Sequence, residues 1–133
     1  MVKTNAKQEF LVHTRQVLTS NPEAQLLCCT ITKGDNHSSW EEEQKWTYQL
    51  TTGFTQEEHN QFLDKLDFMY NSGYGGQELF ATIWYKDWTW SERGEYDGGE
   101  WYSYQRCPEI PPILKRIDKE REEKLNQILW LIN

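Results

Sequence analysis

The sequence predicts an α+β protein with a single antiparallel sheet of about five strands and helices packed on one face of that sheet. Three observations lead to this class. Apolar residues recur at helical spacing in three segments, short segments rich in alternating aromatic and β-branched residues predict strands, and tight turns join the last three strands. The predicted order along the chain is α-β-β-α-β-β-β-α, and the short connections favour antiparallel pairing.

The first part of the chain contributes one helix and two strands. Apolar side chains form one helical stripe from Ala6 to Leu18, and Ser20-Asn21-Pro22 ends it. The segment from Leu26 to Thr32 is short, apolar and β-branched near its end, which predicts a strand. A second strand is predicted from Lys45 to Thr51, because aromatic and apolar residues alternate there with polar ones.

The second helix is predicted to begin at Thr55. Thr55 and Glu58 form a capping-box signature, in which the hydroxyl accepts from the Glu58 amide and the carboxylate reaches back to the cap. An apolar stripe continues from His59 to Tyr70, and Asn71-Ser72-Gly73 is typical of a helix end. We therefore expect one helix from Thr55 to Tyr70.

Three strands in close succession are predicted to form a meander. Leu79 to Tyr85 alternates as a strand, and Trp88 to Tyr96 returns after a tight turn at Lys86-Asp87. A second turn signal at Asp97-Gly98-Gly99 leads into the last strand, Glu100 to Arg106.

The segment 112–132 predicts a third helix, with Pro112 suited to its first turn. Its middle is almost entirely charged and is expected to face solvent. Its end is apolar on all sides and needs cover from the domain or from a partner. We expect one domain over residues 1–133, with this helix extending to a partner or to a second copy of the chain. The residues predicted to mediate this self-association are Ile128, Leu129, Trp130 and Ile132.

Composition excludes several classes of function. The 133-residue chain has a net charge of −7, which argues against direct binding of nucleic acid or an anionic membrane, since that affinity comes from lysine and arginine. No apolar run approaches the ~20 residues of a membrane span, and the first residues lack a signal-peptide core. Three cysteines make no disulfide framework, so we expect a reducing, cytoplasmic setting.

Several short motifs between Thr55 and Pro111 form a pattern. They are Gly73-Tyr74-Gly75-Gly76-Gln77, Thr82-Ile83-Trp84, Glu92-Arg93-Gly94-Glu95-Tyr96-Asp97-Gly98 and Pro108-Glu109-Ile110-Pro111. The pattern resembles that of a family of short, uncharacterised bacterial and phage-encoded proteins. The resemblance implies a mobile-element accessory protein and names no activity. The chain departs from the pattern at Ala81 and at Trp88, where the family has glycines. A glycine in the second position would permit a positive φ in the hairpin turn.

An acidic cluster with one arginine is the most suggestive candidate site. Its members are Glu92, Arg93, Glu95, Asp97 and Glu100. Paired carboxylates can share a proton or bind a divalent cation. The cluster also fits a solvated sheet rim in which Arg93 pairs with a neighbouring carboxylate, or an edge that binds a partner.

The aromatic residues of the last three strands are too many to face the core together, because alternation turns some rings outward. We expect Trp84 and Trp101 in the core and Trp88 and Tyr102 at the surface. Exposed aromatic rings beside acids suit a protein hot spot or the stacking of a sugar. The predicted partner-binding residues are Trp88, Trp90, Glu92, Arg93, Glu95, Asp97, Glu100 and Tyr102.

The favoured functional hypothesis is a non-enzymatic interaction protein, because no catalytic constellation, metal-ligand spacing or cofactor motif is visible. Its partner would be a protein with a basic site, for instance a host nucleic-acid-binding defence complex inhibited by a phage or mobile-element accessory protein. Two alternatives stay open. One is a sugar- or nucleotide-binding domain that stacks its ligand on Trp88, Trp90 and Tyr102. The other is a metal-dependent hydrolase that uses Glu92, Glu95, Asp97 and Glu100.

Overall fold

A five-stranded antiparallel sheet forms the centre of the computed structural model, which describes residues 3–34, 46–73, 76–114 and 123–129. In chain order the elements are β1 (Lys3–Asn5), α1 (Ala6–Ser20), β2 (Leu26–Lys33), β3 (Thr47–Leu50), α2 (Gln56–Lys65), β4 (Met69–Asn71), β5 (Leu79–Tyr85), β6 (Trp90–Tyr96) and β7 (Gly99–Gln105). The sheet order is β3-β2-β5-β6-β7, and every neighbouring pair is antiparallel. The α+β class and the five-stranded antiparallel sheet are confirmed.

A second, two-stranded sheet was not predicted. Strands β1 and β4 pair antiparallel, with Thr4 opposite Tyr70. The predicted extension of the second helix to Tyr70 is therefore wrong, because α2 ends at Lys65. The Ala6 amide donates to the Phe68 carbonyl over 2.9 Å. This pairing with the start of the chain outweighs the helical spacing of the apolar residues, as tertiary contacts often do.

The core lies between the helices and one face of the sheet, the inner face. Phe10 of α1 and Phe62 of α2 meet edge to face, with ring centres 5.4 Å apart. The sheet contributes alternate residues to the same buried cluster, which are Cys29, Ile31, Leu50, Leu79, Ile83, Tyr85 and Tyr102. This alternation is what strands with one covered face require.

Helices α1 and α2 each begin with a side-chain cap. Asn5 accepts from the Gln8 amide at the start of α1. At the start of α2, Thr55 and Glu58 form the predicted capping box, in which the Glu58 amide donates to the Thr55 hydroxyl over 3.1 Å. No helix in the described ranges is both long and apolar enough to cross a membrane.

The C-terminal segment is helical at 112–114 and 123–129, and the side chains described there are exposed. Ile128 and Leu129 therefore have no cover from the described part of the domain. Trp130 and Ile132, which complete the predicted self-association surface, lie outside the described residues. Self-association through this segment stays a prediction.

The opposite, outer face of the sheet carries several large rings. Phe80, Trp84 and Trp101 are all exposed there. Trp101 pairs with Gly94 across β6 and β7, and a Cβ atom at Gly94 would lie 2.7 Å from the indole nitrogen of Trp101. The missing side chain of Gly94 thus lets the indole lie against the sheet.

Candidate functional site

The turn that joins β5 to β6 presents Trp88 to solvent. Trp88 has a φ of 70°, in the left-handed region that residues other than glycine rarely adopt. Its side chain is 87% exposed, so the ring contributes almost nothing to the core. Two backbone hydrogen bonds close the turn. The Tyr85 amide donates to the Thr89 carbonyl over 3.0 Å, and the Trp88 amide donates to the Tyr85 carbonyl over 3.2 Å.

Side chains from distant elements hold this turn in place. Asp87 accepts hydrogen bonds from the amide and the hydroxyl of Thr89. Asn21, which caps the end of α1, donates to the other oxygen of Asp87 over 2.6 Å. Tyr104 of β7 donates to the Thr89 hydroxyl over 2.9 Å. Burial alone would raise the pKa of Asp87, but the hydrogen bonds from Thr89 and Asn21 outweigh it and hold that pKa below its ordinary value. The turn is therefore preorganised.

A second group of notable side chains lies inside the protein. Arg93 points from β6 onto the inner face, where its side chain is 1% exposed. Its terminal nitrogens donate to Glu9 of α1 and Glu100 of β7, each over 2.8 Å. One of them also donates to the Tyr70 hydroxyl over 2.8 Å. The guanidinium carbon lies 4.5 Å from the ring centre of Tyr102. We call these five residues the Arg93 cluster.

The Arg93 cluster connects elements that are far apart in the sequence. Tyr70 of β4 donates to Glu9 of α1 over 2.5 Å. Glu100 accepts from the backbone amides of Glu78 and Leu79 over 2.7 and 2.9 Å, which fixes the start of β5. One guanidinium and its partners therefore hold α1, β4, β5, β6 and β7 together.

The electrostatics of the Arg93 cluster favour a structural role. Burial alone would lower the pKa of Arg93, but the Glu9 carboxylate, Tyr70 and Glu100 outweigh it and raise that pKa. Burial raises the pKa of Tyr102 and of Tyr70, so both phenols stay neutral at neutral pH. Both oxygens of Glu100 accept hydrogen bonds, from Arg93 and from the amides of Glu78 and Leu79, so Glu100 is not free to act as a general base.

A polar chain of His13, Ser91 and Tyr85 lies beside this cluster. His13 Nε2 and the Tyr85 hydroxyl each lie 2.7 Å from Ser91 Oγ. The His13 ring stacks on Tyr102 with centres 5.1 Å apart. Burial, helped by the charge of Arg93, lowers the pKa of His13 to about 4. A serine beside a neutral histidine resembles a nucleophile with its base, but Ser91 is fully buried, so a substrate cannot reach it.

Three predicted partner-binding residues are not at the surface. Arg93, Glu100 and Tyr102 face the core, so the predicted exposure of Tyr102 is wrong. The stacking trio of Trp88, Trp90 and Tyr102 does not form one surface either. The reason is the register of β6 and β7, which places Arg93 opposite Tyr102 on the inner face.

The other predicted partner-binding residues are spread along β6 and the turns at its two ends. Trp88 lies in the turn before this strand and Asp97 in the turn after it. Trp90 is half-buried and Glu92 exposed on the outer face, while Glu95 is exposed near the second turn. The structure thus does not bring Trp88 and Asp97 into one site.

The predicted core positions of Trp84 and Trp101 are also wrong, since both rings are exposed. Trp84 pairs with Trp90 across β5 and β6 and therefore lies on the outer face. The inner positions next to these residues belong to Ile83 and Ser91. The sequence pattern of the strands shows which residues share a face of the sheet, but it does not show which face the helices cover.

The four predicted acidic residues do not converge on one site, although Glu95 lies opposite Glu100 across β6 and β7. Glu100 is engaged with Arg93 on the inner face, and Glu92 lies on the outer face. Within the residues that the structure describes, no group of three or more histidine, cysteine, aspartate or glutamate side chains is arranged to hold a metal ion. All three cysteines are free thiols, and burial raises the pKa of Cys29 to about 12.

Comparison with protein-family models, with curated proteins and with solved structures gives no match to this chain. The resemblance noted from the sequence motifs therefore stays a prediction.

Replacing Arg93 by methionine is expected to lower the free energy of unfolding by about 3–5 kcal/mol, because Glu9 and Glu100 would stay buried without their cation. Urea denaturation followed by tryptophan fluorescence measures this change. The matched control is Arg106→Met, at an exposed position, where we expect a change below about 0.5 kcal/mol. Equal effects of the two substitutions would contradict the role of the cluster.

Stability is expected to fall as the pH is lowered from about 7.5 to about 5, in part through His13. The pKa of His13 in the folded protein, about 4, lies below its value in the unfolded chain. The unfolded chain therefore binds a proton at a higher pH than the folded chain, and this protonation lowers the free energy of unfolding in this window. After a discount for partial exposure, we expect His13 to contribute about 1 kcal/mol of this loss. Urea denaturation of the wild type and of His13→Gln at both pH values measures the difference. Parallel pH profiles for the two proteins would show that His13 is not responsible.

Proposed function

We propose that this protein is a non-enzymatic interaction protein that binds a protein partner through the Trp88 turn. We define the Trp88 turn as Lys86 to Thr89. The observation that carries the proposal is an almost fully exposed tryptophan held in a left-handed backbone conformation.

The fold alone gives no reason for a tryptophan at this position. A residue with a side chain in the left-handed region costs on the order of 1–2 kcal/mol, and the exposed ring of Trp88 recovers little of that by burial. Glycine would fit the same turn without the penalty. A residue that is unfavourable for folding is best explained by a contact made outside the chain.

The setting of Trp88 suits a binding hot spot. Tryptophan is enriched at the centres of protein interfaces, where its large ring fills a pocket of the partner. Asp87, Thr89 and Asn21 fix the turn before binding, so little conformational entropy would be lost on association. The cross-strand pair Trp84 and Trp90 lies on the outer face next to this turn and extends the aromatic surface.

The charge of the chain indicates what kind of partner fits. With a net charge of −7, the protein would be steered toward a basic surface. A protein that binds nucleic acid has such a surface. A host defence complex inhibited by a phage or mobile-element accessory protein is the partner class we favour. The three free cysteines suit a reducing compartment such as the cytoplasm.

Replacing Trp88 by alanine is expected to reduce partner capture by about tenfold or more, because the anchor of the interface is removed. The measurement is quantitative mass spectrometry of proteins captured from host lysate by the tagged full chain. The matched control is Tyr96→Ala, which removes a ring that is 79% exposed at the opposite end of β6. We expect the control to capture the same protein as the wild type, with recovery falling as salt is raised. Equal capture by Trp88→Ala and the wild type would contradict the proposal.

Replacing Trp88 by glycine is expected to raise the free energy of unfolding by about 0.5–1 kcal/mol, since the left-handed conformation no longer carries a penalty. Thermal and urea denaturation measure the change. If Trp88→Gly instead destabilises the protein, the ring supports the fold, and the argument from an exposed and unfavourable residue fails.

A further inference from the structure

Strand β7 is an edge of the five-stranded sheet, and one side of its backbone faces outward. Its described neighbour in the sheet is β6. The Glu100 amide points away from β6, because it donates to the Ser72 carbonyl over 2.9 Å. Backbone groups two residues apart in a strand point to the same side. The amides and carbonyls of Tyr102 and Tyr104 therefore face away from β6 as well.

A groove runs between this edge and α1. Its volume is about 370 Å³, and residues of β1, α1 and β7 line it. Val12 of α1 is 50% exposed and offers apolar surface to the groove. Thr4, which hydrogen-bonds to Ser72, lines the end next to Glu100. The groove thus combines strand backbone that has no partner within the described residues with an apolar side chain from a facing helix.

The described lining of the groove contains one carboxylate and no lysine or arginine. Glu9 lines it, and the oxygen of Glu9 that accepts from Arg93 and Tyr70 is Oε1. Oε2 makes no hydrogen bond within the described part of the chain. Arg93 is buried and offers no positive charge to a ligand in the groove. A cation in the ligand could therefore pair with Oε2 of Glu9.

We propose that this groove binds an extended, cationic peptide segment of a protein partner as an additional strand beside β7. The peptide backbone pairs with Tyr102 and Tyr104, one apolar side chain contacts Val12, and a lysine or arginine pairs with Glu9. Extended peptides bind other proteins in this way, between an edge strand and a helix. A second copy of this chain suits the groove less well, because two chains of charge −7 repel each other.

This inference goes beyond the Trp88 turn and does not depend on it. The experiment selects peptides from a display library of random linear sequences on the immobilised full chain. Isothermal titration then measures the affinity of a selected peptide. We expect selected sequences to combine a lysine or arginine with an apolar residue.

Variants of α1 locate the binding. Val12→Lys places a positive charge in the groove and is expected to weaken binding by about tenfold or more. Leu18→Lys is the matched control on the same helix, because Leu18 is similarly exposed and lies outside the groove. It should change the affinity by less than about twofold. If Val12→Lys does not fold, Gln16→Lys tests the same groove from an exposed position.

Methylation of the peptide backbone tests strand pairing. Blocking alternate amides in one register should abolish binding, while blocking the other set should have little effect, because only every second amide faces β7.

Three results would overturn the inference. They are failure to select any peptide, equal binding of a peptide to the wild type and to Val12→Lys, and equal effects of the two methylated sets. A dimer in light scattering that Val12→Lys returns to a monomer would assign the groove to a second copy instead. If only Trp88→Ala abolishes peptide binding, the groove inference fails and the proposed function stands.

Discussion

The fold depends on the burial of one arginine between two carboxylates. Moving a guanidinium out of water is costly, and only partners that satisfy its charge and its donors offset that cost. Glu9, Glu100 and Tyr70 accept hydrogen bonds from the terminal nitrogens of Arg93 at 2.8 Å, and Tyr102 provides the face of its ring. Because these residues come from α1, β4 and β7, their pairing with Arg93 orients the helix and the second sheet against the central one.

This constraint has consequences at the surface. Arg93 and Tyr102 occupy the inner face, so Trp90 and Trp101 are turned to the outer face by alternation. α1 is held against β6 through the Glu9–Arg93 ion pair, and the groove lies between α1 and the edge strand β7. The surfaces to which we assign binding therefore follow from a buried interaction that does not itself take part in it.

Local signals allowed much of the fold to be predicted. The Thr55 capping box marks the start of α2, and the turn at Asp97 and Gly98, where both residues have positive φ, separates β6 from β7 as expected. The pairing of β1 with β4 could not be predicted, because strands of three residues carry no detectable period. Their contact also joins Thr4 to Tyr70, which are far apart in the sequence.

The site was predicted less well than the fold, for a physical reason. Alternation showed which residues of β6 and β7 share a face, but both faces contain aromatic and charged residues, so the pattern does not show which is buried. Tryptophan in the core and arginine outside is the ordinary expectation, and here Trp101 and Arg93 reverse it. The exposure of Trp88 was predicted, whereas the positive φ of its backbone, which favours glycine, is shown by the structure.

The most direct measurement of the central claim is NMR of the arginine side chains in nitrogen-labelled protein at neutral pH. If Glu9, Glu100 and Tyr70 hold the guanidinium as described, one arginine gives separate, slowly exchanging signals for its terminal N–H groups, and Arg93→Lys removes them. Averaged, rapidly exchanging signals from every arginine would contradict the account, because a solvated Arg93 could not hold α1 and β7 together.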